Sequence, residues 1–588
     1  MAIYRADKAV MSFGTEAAQG GTPEAVTTAA SSGSLGATAV NMASGLPAGS
    51  LSVTVDSTSG IITGEFIQLG DSATQEKEIR RVEHVEGTTK LHLDTPTAFF
   101  HPDDTVVTVR DSITQSDLDK FMTFVPGVYE SIDVPDPEMN IEPRYLLGTS
   151  SNRNFYSVYK SSQSYSGGVG SFTLLNGWPL RFPIGQVTSV AYADSDPRTN
   201  KVYFSATAKK GDYWIAVNDG SALTVGKVYS IDAPITYSDV PNGTTIGQKS
   251  EIRRVVAISS NSVRLNYPLH YEHTTTSATT QIQEINESAA GLYYQHDIWE
   301  RTDLDTVSWN VLLRDSGNTT ANDIIRRYYG GKIGGASIAA SEEGMLTMSW
   351  DTVPFLGMNH NQADHSAVSD DAYSTLAGAG GGGYDMPGYS LGIQTIDDTD
   401  IGDTSTNNLK DRSYPSTNPY FFSNGTLSLF GTSFARVSDF NISIDNAVES
   451  RYYINTRHGK LQRGPSEHRE GARAYNMSAT LALPDSAAAT GSDRTLFKEL
   501  LLEGDYGTNT VPNHSGFDIT LSFSRGTNDS IVFTIPSDGS SAKGGNEQGA
   551  FITSATHNIG GSGILSVDAS MIFRNMKIQI KDSNLLYP

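Results

Sequence analysis

The residues of this chain that could do chemistry are few, and their spacing does not suit it. His360 and His365 flank Asp364, a set that could ligate a metal ion. They lie in Gly- and Asp-rich sequence, lack the H-E-x-x-H spacing, and have no cysteine to complete a site. Asp398, Asp400, Gly402 and Asp403 match the opening of a calcium loop, yet the twelfth position, where a bidentate Glu belongs, holds Leu409. Both stretches read more simply as solvated acidic loop. No G-x-S-x-G elbow occurs, and Gly560-Gly561-Ser562-Gly563 has the wrong spacing for one. Gly167-Gly168-Val169-Gly170 fits neither a P-loop nor a dinucleotide fingerprint. Acid pairs such as Asp133/Asp136 and Glu342/Glu343 are ordinary in a chain with 65 acids, and glycoside hydrolysis would also need a pocket. No catalytic, cofactor-binding or metal residue is assigned, and the chain is expected not to be an enzyme.

The elements around these residues point elsewhere. A chain of 588 residues is too long for one core and predicts several domains. Gly is abundant (56), Tyr (27) and Phe (22) supply most large apolar area, and charged residues are only 18%. β-Branched and aromatic runs between Gly, Asn, Asp and Ser turns predict strands. A net charge of −23 argues against gripping nucleic acid or an anionic membrane, since both need clustered Lys and Arg. Without cysteine, disulfides and thiolate chemistry are excluded. The first residues lack signal-peptide features and no apolar run reaches membrane-spanning length, so a soluble protein made in the cytoplasm is expected.

Internal repeats carry more information than any motif. Glu78-Ile79-Arg80-Arg81-Val82 recurs as Glu251-Ile252-Arg253-Arg254-Val255. Leu91-His92-Leu93, Pro96 and His101 trail the first, and Val263-Arg264-Leu265, Pro268 and His273 trail the second after a one-residue gap. These are two copies of one small β-domain. Strand alternation puts one Arg of each pair outward, paired with a nearby acid or, in a sharper reading, bridging to a neighbouring subunit through Arg254.

A larger repeat is less exact. Ser131-Ile132-Asp133 precedes Glu142-Pro143-Arg144-Tyr145, and Ser443-Ile444-Asp445 precedes Glu449-Ser450-Arg451-Tyr452. An alternating strand follows each, then a helical candidate. The second candidate runs from an Asp493 cap to Gly504 with Leu496, Phe497, Leu500 and Leu501 on one face; the first, from Trp178 to Val187, carries Pro179 and Pro183. Closing strands then correspond: Trp309 with Phe517, Ile324–Tyr329 with Ser530–Ile535, and Met345–Trp350 with Ile564–Phe573.

On these residues the chain resembles the tail tube (major tail) proteins of tailed bacteriophages. The resemblance lies in Phe124–Glu130 running into Glu142–Gly148, in Gly167–Leu174 with Asn176–Leu180, and in Ile325–Ile333 leading to Trp350 and Asp351. Towards the C-terminus it lies in Phe434–Val437, Ser443–Asn446, Gly464–Glu467, Glu470–Arg473 and Ser530–Pro536. It implies a mainly β chain with a tail-tube β-sandwich or barrel fold, duplicated, carrying two small inserted β-domains. The corresponding organisation is an N-terminal arm (1–34), a small β-domain (35–112), the first part of tube domain 1 (113–195), the second small β-domain (196–285), the remainder of tube domain 1 (286–357), a Gly/Asp-rich linker or arm (358–418) and tube domain 2 (419–588).

The resemblance further implies a structural virion protein of the phage tail whose stacked rings form a channel for DNA. Rings would hold three chains with pseudo-sixfold symmetry if the tube fold occurs twice, or six chains if once. Tape-measure, terminator and distal tail proteins would be partners, and viral DNA would pass without specific binding. An acidic lumen suits that passage. The competing readings are a tail-fibre or baseplate carbohydrate-binding protein, a tail sheath subunit and a secreted glycosidase. The fibre reading lacks trimeric β-helix or collagen-like repeats, the sheath lacks its α/β character, and the glycosidase lacks a signal peptide.

Overall fold

A computed structural model of the chain describes residues 10–16, 38–61, 66–70, 78–93, 97, 99–110, 128–145, 155, 157–212, 214–233, 249–265, 269–275, 281–313, 324–360, 419–429, 432–434, 437–453, 456–457, 460–461, 464–482, 516–537, 549–558 and 566–582. Its regular structure is almost all antiparallel strand, as the composition predicts. Helix among the described residues is limited to single turns, and no helix there is long and apolar enough to cross a membrane. The second helical candidate, Asp493 to Gly504, lies outside the described residues, as do Gly560–Gly563, Asp364, His365 and the acids at 398, 400 and 403.

Strict alternation makes the long sheet. Gly335–Ser341 buries Ala336, Ile338 and Ala340, and Val437–Asp445 buries Phe440, Ile442 and Ile444. Ser566–Phe573 buries Val567, Ala569, Met571 and Phe573. Successive side chains point to opposite faces, so every second residue enters one core and the others meet solvent. Each large apolar side chain so buried contributes about 1.5–3 kcal/mol.

The strand order contains the same unit twice. In the first, Ile132–Asp133, Ser157–Thr173, Thr347–Pro354 and Gly335–Ser341 lie side by side; in the second, Val437–Asp445, Ala474–Ala482, Ser566–Phe573 and Phe551–Asn558 do. These eight belong to one ten-stranded sheet. A second layer repeats the pattern, with Val10–Thr15, Val307–Leu313, Ile324–Gly331 and Gly357–His360 against Gly425–Leu429, Ile519–Gly526, Asp529–Ile535 and Lys577–Asp582. Matching strands occur in the same chain order and pair in the same sense, so both halves follow one topology. Val10–Thr15, within the stretch read as an arm, is an edge strand of the first half. Gly185–Tyr192 and Tyr293–Glu300 have no counterpart among the described residues of the second half; they form a hairpin that carries the second small domain at its tip.

The glycines of Gly167-Gly168-Val169-Gly170 serve packing. A Cβ on Gly167 would overlap the carbonyl of Asp133, and one on Gly168 would lie 2.7 Å from that of Trp350. The backbone there is pressed between two neighbouring strands, a role no larger residue could fill.

The small domains are topological copies as well. Thr38–Ala39, Val106–Arg110, Phe66–Leu69, Glu78–Glu86, Lys90–Leu93 and Ser52–Thr54 are ordered as Arg198–Tyr203, Gln281–Ile285, Val228–Ala233, Lys249–Ser259, Ser262–Leu265 and Trp214–Ala216. Bridges between Val40 and Val55, and between Phe204 and Val217, join the outer strands of each. Both copies bulge at the same place, after Val82 and after Val255. The one-residue gap in the sequence falls in the hairpin turn, Gly87–Thr89 in one and Ser260–Asn261 in the other.

The repeated Glu and trailing His meet in space. Glu251 accepts hydrogen bonds from Arg253 Nη2 (2.7 Å) and from the backbone N–H groups of His270 (2.7 Å) and Tyr271 (3.1 Å), and His273 Nε2 lies 2.8 Å away. Burial alone would raise its carboxyl, but Arg253 and His273 hold it below the ordinary value. The expectation of one outward Arg is corrected here for the second pair, while the Arg81 side chain lies outside the described residues. Arg80 and Arg253 are buried, and Arg254 is buried too because the strand face that carries it and Ile252 is covered by Ala191 and Tyr294 of the hairpin; Arg254 reaches Glu287 (3.5 Å) and the Gly226 carbonyl of its own chain. It is not placed to bridge to a neighbour.

One core joins the two halves of the large fold. Trp350 is fully buried and packs edge-on against Phe172 (5.6 Å) and Phe182 (6.0 Å), and it stacks on Trp309 (6.4 Å). Phe182 comes from the Pro-containing segment, which forms one 3-10 turn, Trp178–Leu180, and one α-turn, Arg181–Ile184. Trp350→Ala is expected to destabilise the chain by about 3–5 kcal/mol, read as a lowered denaturant midpoint at unchanged slope.

Candidate assembly surface

The site begins at the seam between the halves. Gly335–Ser341 pairs antiparallel with Val437–Asp445 along its whole length, from Gly335 opposite Asp445 to Ser341 opposite Asp439. The sheet of the first half thereby continues into the second without a break.

Buried polar contacts clamp this seam at one end. The Asn446 side-chain amide donates to the carbonyls of Pro183 and Ile333, both at 2.9 Å, and its oxygen accepts from Arg473 Nε at 2.6 Å. Arg473 also donates to the Arg301 carbonyl (3.1 Å). Glu470 binds Lys332 Nζ (2.7 Å) and the Leu304 backbone N–H (2.8 Å). Burial would raise the Glu470 carboxyl, yet Lys332 and that N–H bring it below its ordinary value. His468 lies close by, 1% exposed; burial and the charge of Lys332 push its imidazole down to about 4. Asn446, Glu470 and Arg473 fall within stretches picked out by the family resemblance, but spacing gave them no role. Their partners lie far away in sequence.

A second seam joins Tyr293–Glu300 to Lys577–Asp582. Here Ser189 Oγ lies 2.7 Å from His296 Nδ1, and His296 Nε2 lies 3.3 Å from Asp582. The residue types are those of a hydrolase triad, but the ring nitrogens are exchanged relative to that arrangement and Ser189, His296 and Asp582 are all buried. A substrate carbonyl has no approach to Ser189. The trio pins three adjacent strands together, and no motif in the sequence announces it.

The second small domain is docked on the same hairpin. Val228, Ile252 and Ile285 pack against Ala191 and Tyr294, and the Tyr271 hydroxyl reaches Thr188 Oγ1 (2.8 Å) and the Val187 carbonyl (3.1 Å). Asp305 gathers Arg181, Lys210 (2.7 Å) and Arg301 (3.3 Å). Burial would raise its carboxyl, but these three cations hold it well below the ordinary range.

On six strands of the ten-stranded sheet the solvent face is mostly small and polar, interrupted by Ile572 (45% exposed). Outward positions are Ser337, Ala339, Ser349, Asp351, Asp439, Asn441, Ser443, Asp445, Asn476, Ser478, Thr480, Asp568 and Ser570. The strands 335–341, 347–354, 437–445, 474–482, 551–558 and 566–573 contain four Asp and neither Lys nor Arg. The second layer differs, with Lys577 and Lys581 on its last strand. This bias was legible in the sequence once the strands were aligned, although only their placement in one sheet makes it a surface.

Three other features complete the surface. Among the described residues Phe551–Asn558 is the last strand at one end of the long sheet, paired with Ser566–Phe573, and it contains neither Pro nor Lys. Beyond Ser166, the last residue of Ser157–Thr173 to pair with Thr347–Pro354, the strand continues with Pro137–Arg144 as a two-stranded ribbon. That ribbon and its ends expose Ile141 (55%), Tyr145 (66%), Phe155 (55%) and Tyr159 (58%). A shorter ribbon of the second half, Glu449–Arg451 with Glu467–Arg469, exposes Tyr452 and Tyr453 at the same end, and Tyr452 donates to the Gln163 carbonyl (3.1 Å).

Among the acid pairs weighed in the sequence, Asp136 binds Arg326 and the Tyr328 hydroxyl (3.0 Å), Asp133 is exposed, and Glu342 and Glu343 are exposed in a turn. The structure does not gather them into one site. His360 ends the strand Gly357–His360.

No protein-family model and no curated protein matches the chain. Among solved structures, a cryo-EM structure of an anti-feeding prophage cap, a tube-terminating cap, is similar at 12% identity over 28% of this chain and 93% of that one. Its TM-score of 0.19 is too low to carry an argument.

The clamp makes stability depend on pH. An unfolded His468 takes up its proton near the ordinary 6.5, whereas the folded one does so only near 4. Between those values the unfolded state binds more protons, so stability present above pH 6.5 is lost as pH falls, at roughly 1.4 kcal/mol per pH unit. The depressed Glu470 carboxyl adds loss in the same direction below its ordinary 4.5. Melting temperature should fall steadily from pH 6.5 towards 4, and His468→Leu should flatten that stretch of the profile.

Proposed function

We propose that this chain is a structural, non-enzymatic subunit of a bacteriophage tail tube, built into rings by repeating between chains the seam it makes within itself. The observation that carries this reading is the unbroken pairing of Gly335–Ser341 with Val437–Asp445. Phe551–Asn558 is the second-half counterpart of Gly335–Ser341, and among the described residues it is the last strand at its end of the sheet. The first-half counterpart of Val437–Asp445 is the segment around Val128–Tyr129 and Ile132–Asp133. Joining those edges between chains would carry the long sheet from one chain into the next and close it as a barrel, with Pro137–Arg144 left outside it as a ribbon. Each chain supplies two halves, so three chains make a ring with six, related head to tail around a closed cycle.

The wall chemistry fits a conduit. Over the six strands that lack Lys and Arg, a face mainly of Ser, Thr, Asn and Asp offers phosphates no counter-charge, so DNA would pass there without being held. The expected location is the virion tail, with a tape-measure protein inside the tube and terminator and distal tail proteins at its ends.

The seam also fixes the register. Ser337 stands opposite Ser443, and the strand pairings make Phe551 the counterpart of Ser337 and Ser131 that of Ser443. Phe551 should therefore face Ser131 of the next chain. In this cysteine-free protein, oxidation of the double variant Phe551→Cys/Ser131→Cys is expected to yield a covalent three-chain species on non-reducing gels, with rings under negative stain. A protein that stays monomeric at high concentration would overturn the reading.

A further inference from the structure

The junction under the second small domain gathers more positive charge than its carboxylates balance, and the geometry points to a site there for a small inorganic oxyanion of the phosphate class. The site lies within one chain and is independent of the ring reading. Arg181 comes from the α-turn Arg181–Ile184 of the large fold, and Arg301 and Asp305 from the segment between Tyr293–Glu300 and Val307–Leu313. Lys210 and His270 come from loops of the small domain, and Arg253 from its strand Lys249–Ser259. These groups meet only where the two parts touch.

Arg253 and Glu251 balance each other at 2.7 Å. Glu251 is then saturated, because its oxygens also face His273 and the N–H groups of His270 and Tyr271. Asp212, in the Lys210 turn, accepts the Lys209 backbone N–H (2.9 Å). Asp305 alone is left, among the described residues, to serve Arg181, Lys210 and Arg301. Three cations thus share one carboxylate at a place where Arg181 is 3% exposed, and buried charge without a counter-charge is costly. The strain is visible in the neighbours: burial first, then the surrounding cations, hold Arg181, Lys210 and the His270 imidazole below their ordinary values.

Donors are unused as well. Asp305 takes Nη2 of Arg181, while Nε and Nη1 of that guanidinium have no hydrogen-bond partner among the described residues. Neither ring nitrogen of His270 has one there, although the residue is buried and its backbone N–H is held by Glu251. A neutral imidazole keeps one N–H to give. Arg181, His270 and Lys210 therefore suit a ligand that is anionic and only accepts hydrogen bonds, as a tetrahedral oxyanion does. The partly exposed side chains of Lys210 (36%) and Arg301 (18%) mark its route from solvent. Bound across the joint, the anion would fasten the small domain to the large fold, so stability should rise with its concentration.

The test titrates inorganic phosphate into the full chain by isothermal calorimetry, with ionic strength held constant by sodium gluconate. One phosphate per chain is expected, with a saturable rise in melting temperature and slowed hydrogen exchange at 181–184, 209–212 and 269–273. Lys210→Gln, on the open side of the site, should weaken phosphate binding by about tenfold or more. Lys201→Gln, exposed on the same domain, should leave it unchanged. Absence of saturable binding, equal weakening by Lys201→Gln, or chloride binding as tightly as phosphate overturns the proposal. If Lys210→Gln fails to fold, the exchange map of the unaltered protein decides, and protection confined to other segments overturns the site. Phosphate binding by a chain that never forms rings sustains the site and overturns only the ring reading.

Discussion

The rest of the structure depends on the backbone pairing of Gly335–Ser341 with Val437–Asp445. A sheet edge is a row of unsatisfied N–H and C=O groups, and two separate half-folds would each present such edges to solvent. Linking them in register satisfies one pair of edges, merges two cores into one, and orients both halves alike. Each net hydrogen bond is worth only about 1 kcal/mol. The seam gains its strength from cooperation with the apolar layer beneath, where Ile338, Ile442 and Ile444 share one core.

Polar groups buried around the seam give it direction. A buried charge pair adds little net stability by itself, yet breaking one leaves a charge stranded in low dielectric. Asn446, Arg473, Glu470 and Lys332 therefore act as register markers: sliding the strands by one residue would separate all of them at once. The Ser189–His296–Asp582 trio does the same at the second seam, and the cations around Asp305 do so beneath the second small domain. Residue types familiar from catalysis here hold strands in place, because they are sealed from any substrate.

Much of this organisation was legible before the fold. The copied Glu-Ile-Arg-Arg-Val and its trailing His gave the small domains, since a barrel of short strands needs the same turn and bulge residues in each copy. The larger duplication was fainter. Between its halves only short patterns such as Ser-Ile-Asp and Glu-x-Arg-Tyr survive, because a strand core accepts many apolar residues and the inserted hairpin Gly185–Tyr192 with Tyr293–Glu300 interrupts the comparison. The buried Arg residues show the limit of period-2 reasoning: alternation puts Arg253 and Arg254 on opposite faces, and cannot reveal that the second face is covered by the hairpin residues Ala191 and Tyr294.

By itself, then, the sequence determined the class of structure, the small-domain copies, the absence of cysteine chemistry, and the absence of Lys and Arg from six strands of the long sheet, 335–341, 347–354, 437–445, 474–482, 551–558 and 566–573. Those are properties of local pattern and composition, which act over a few residues. Only the tertiary structure decided that the two halves share one sheet, that the cation-free strands form one face, and that three cations converge on Asp305 at a domain junction. These features join residues far apart in the chain, as Pro183 joins Asn446 across 263, and strand pairing between such segments is set by which edges meet in three dimensions.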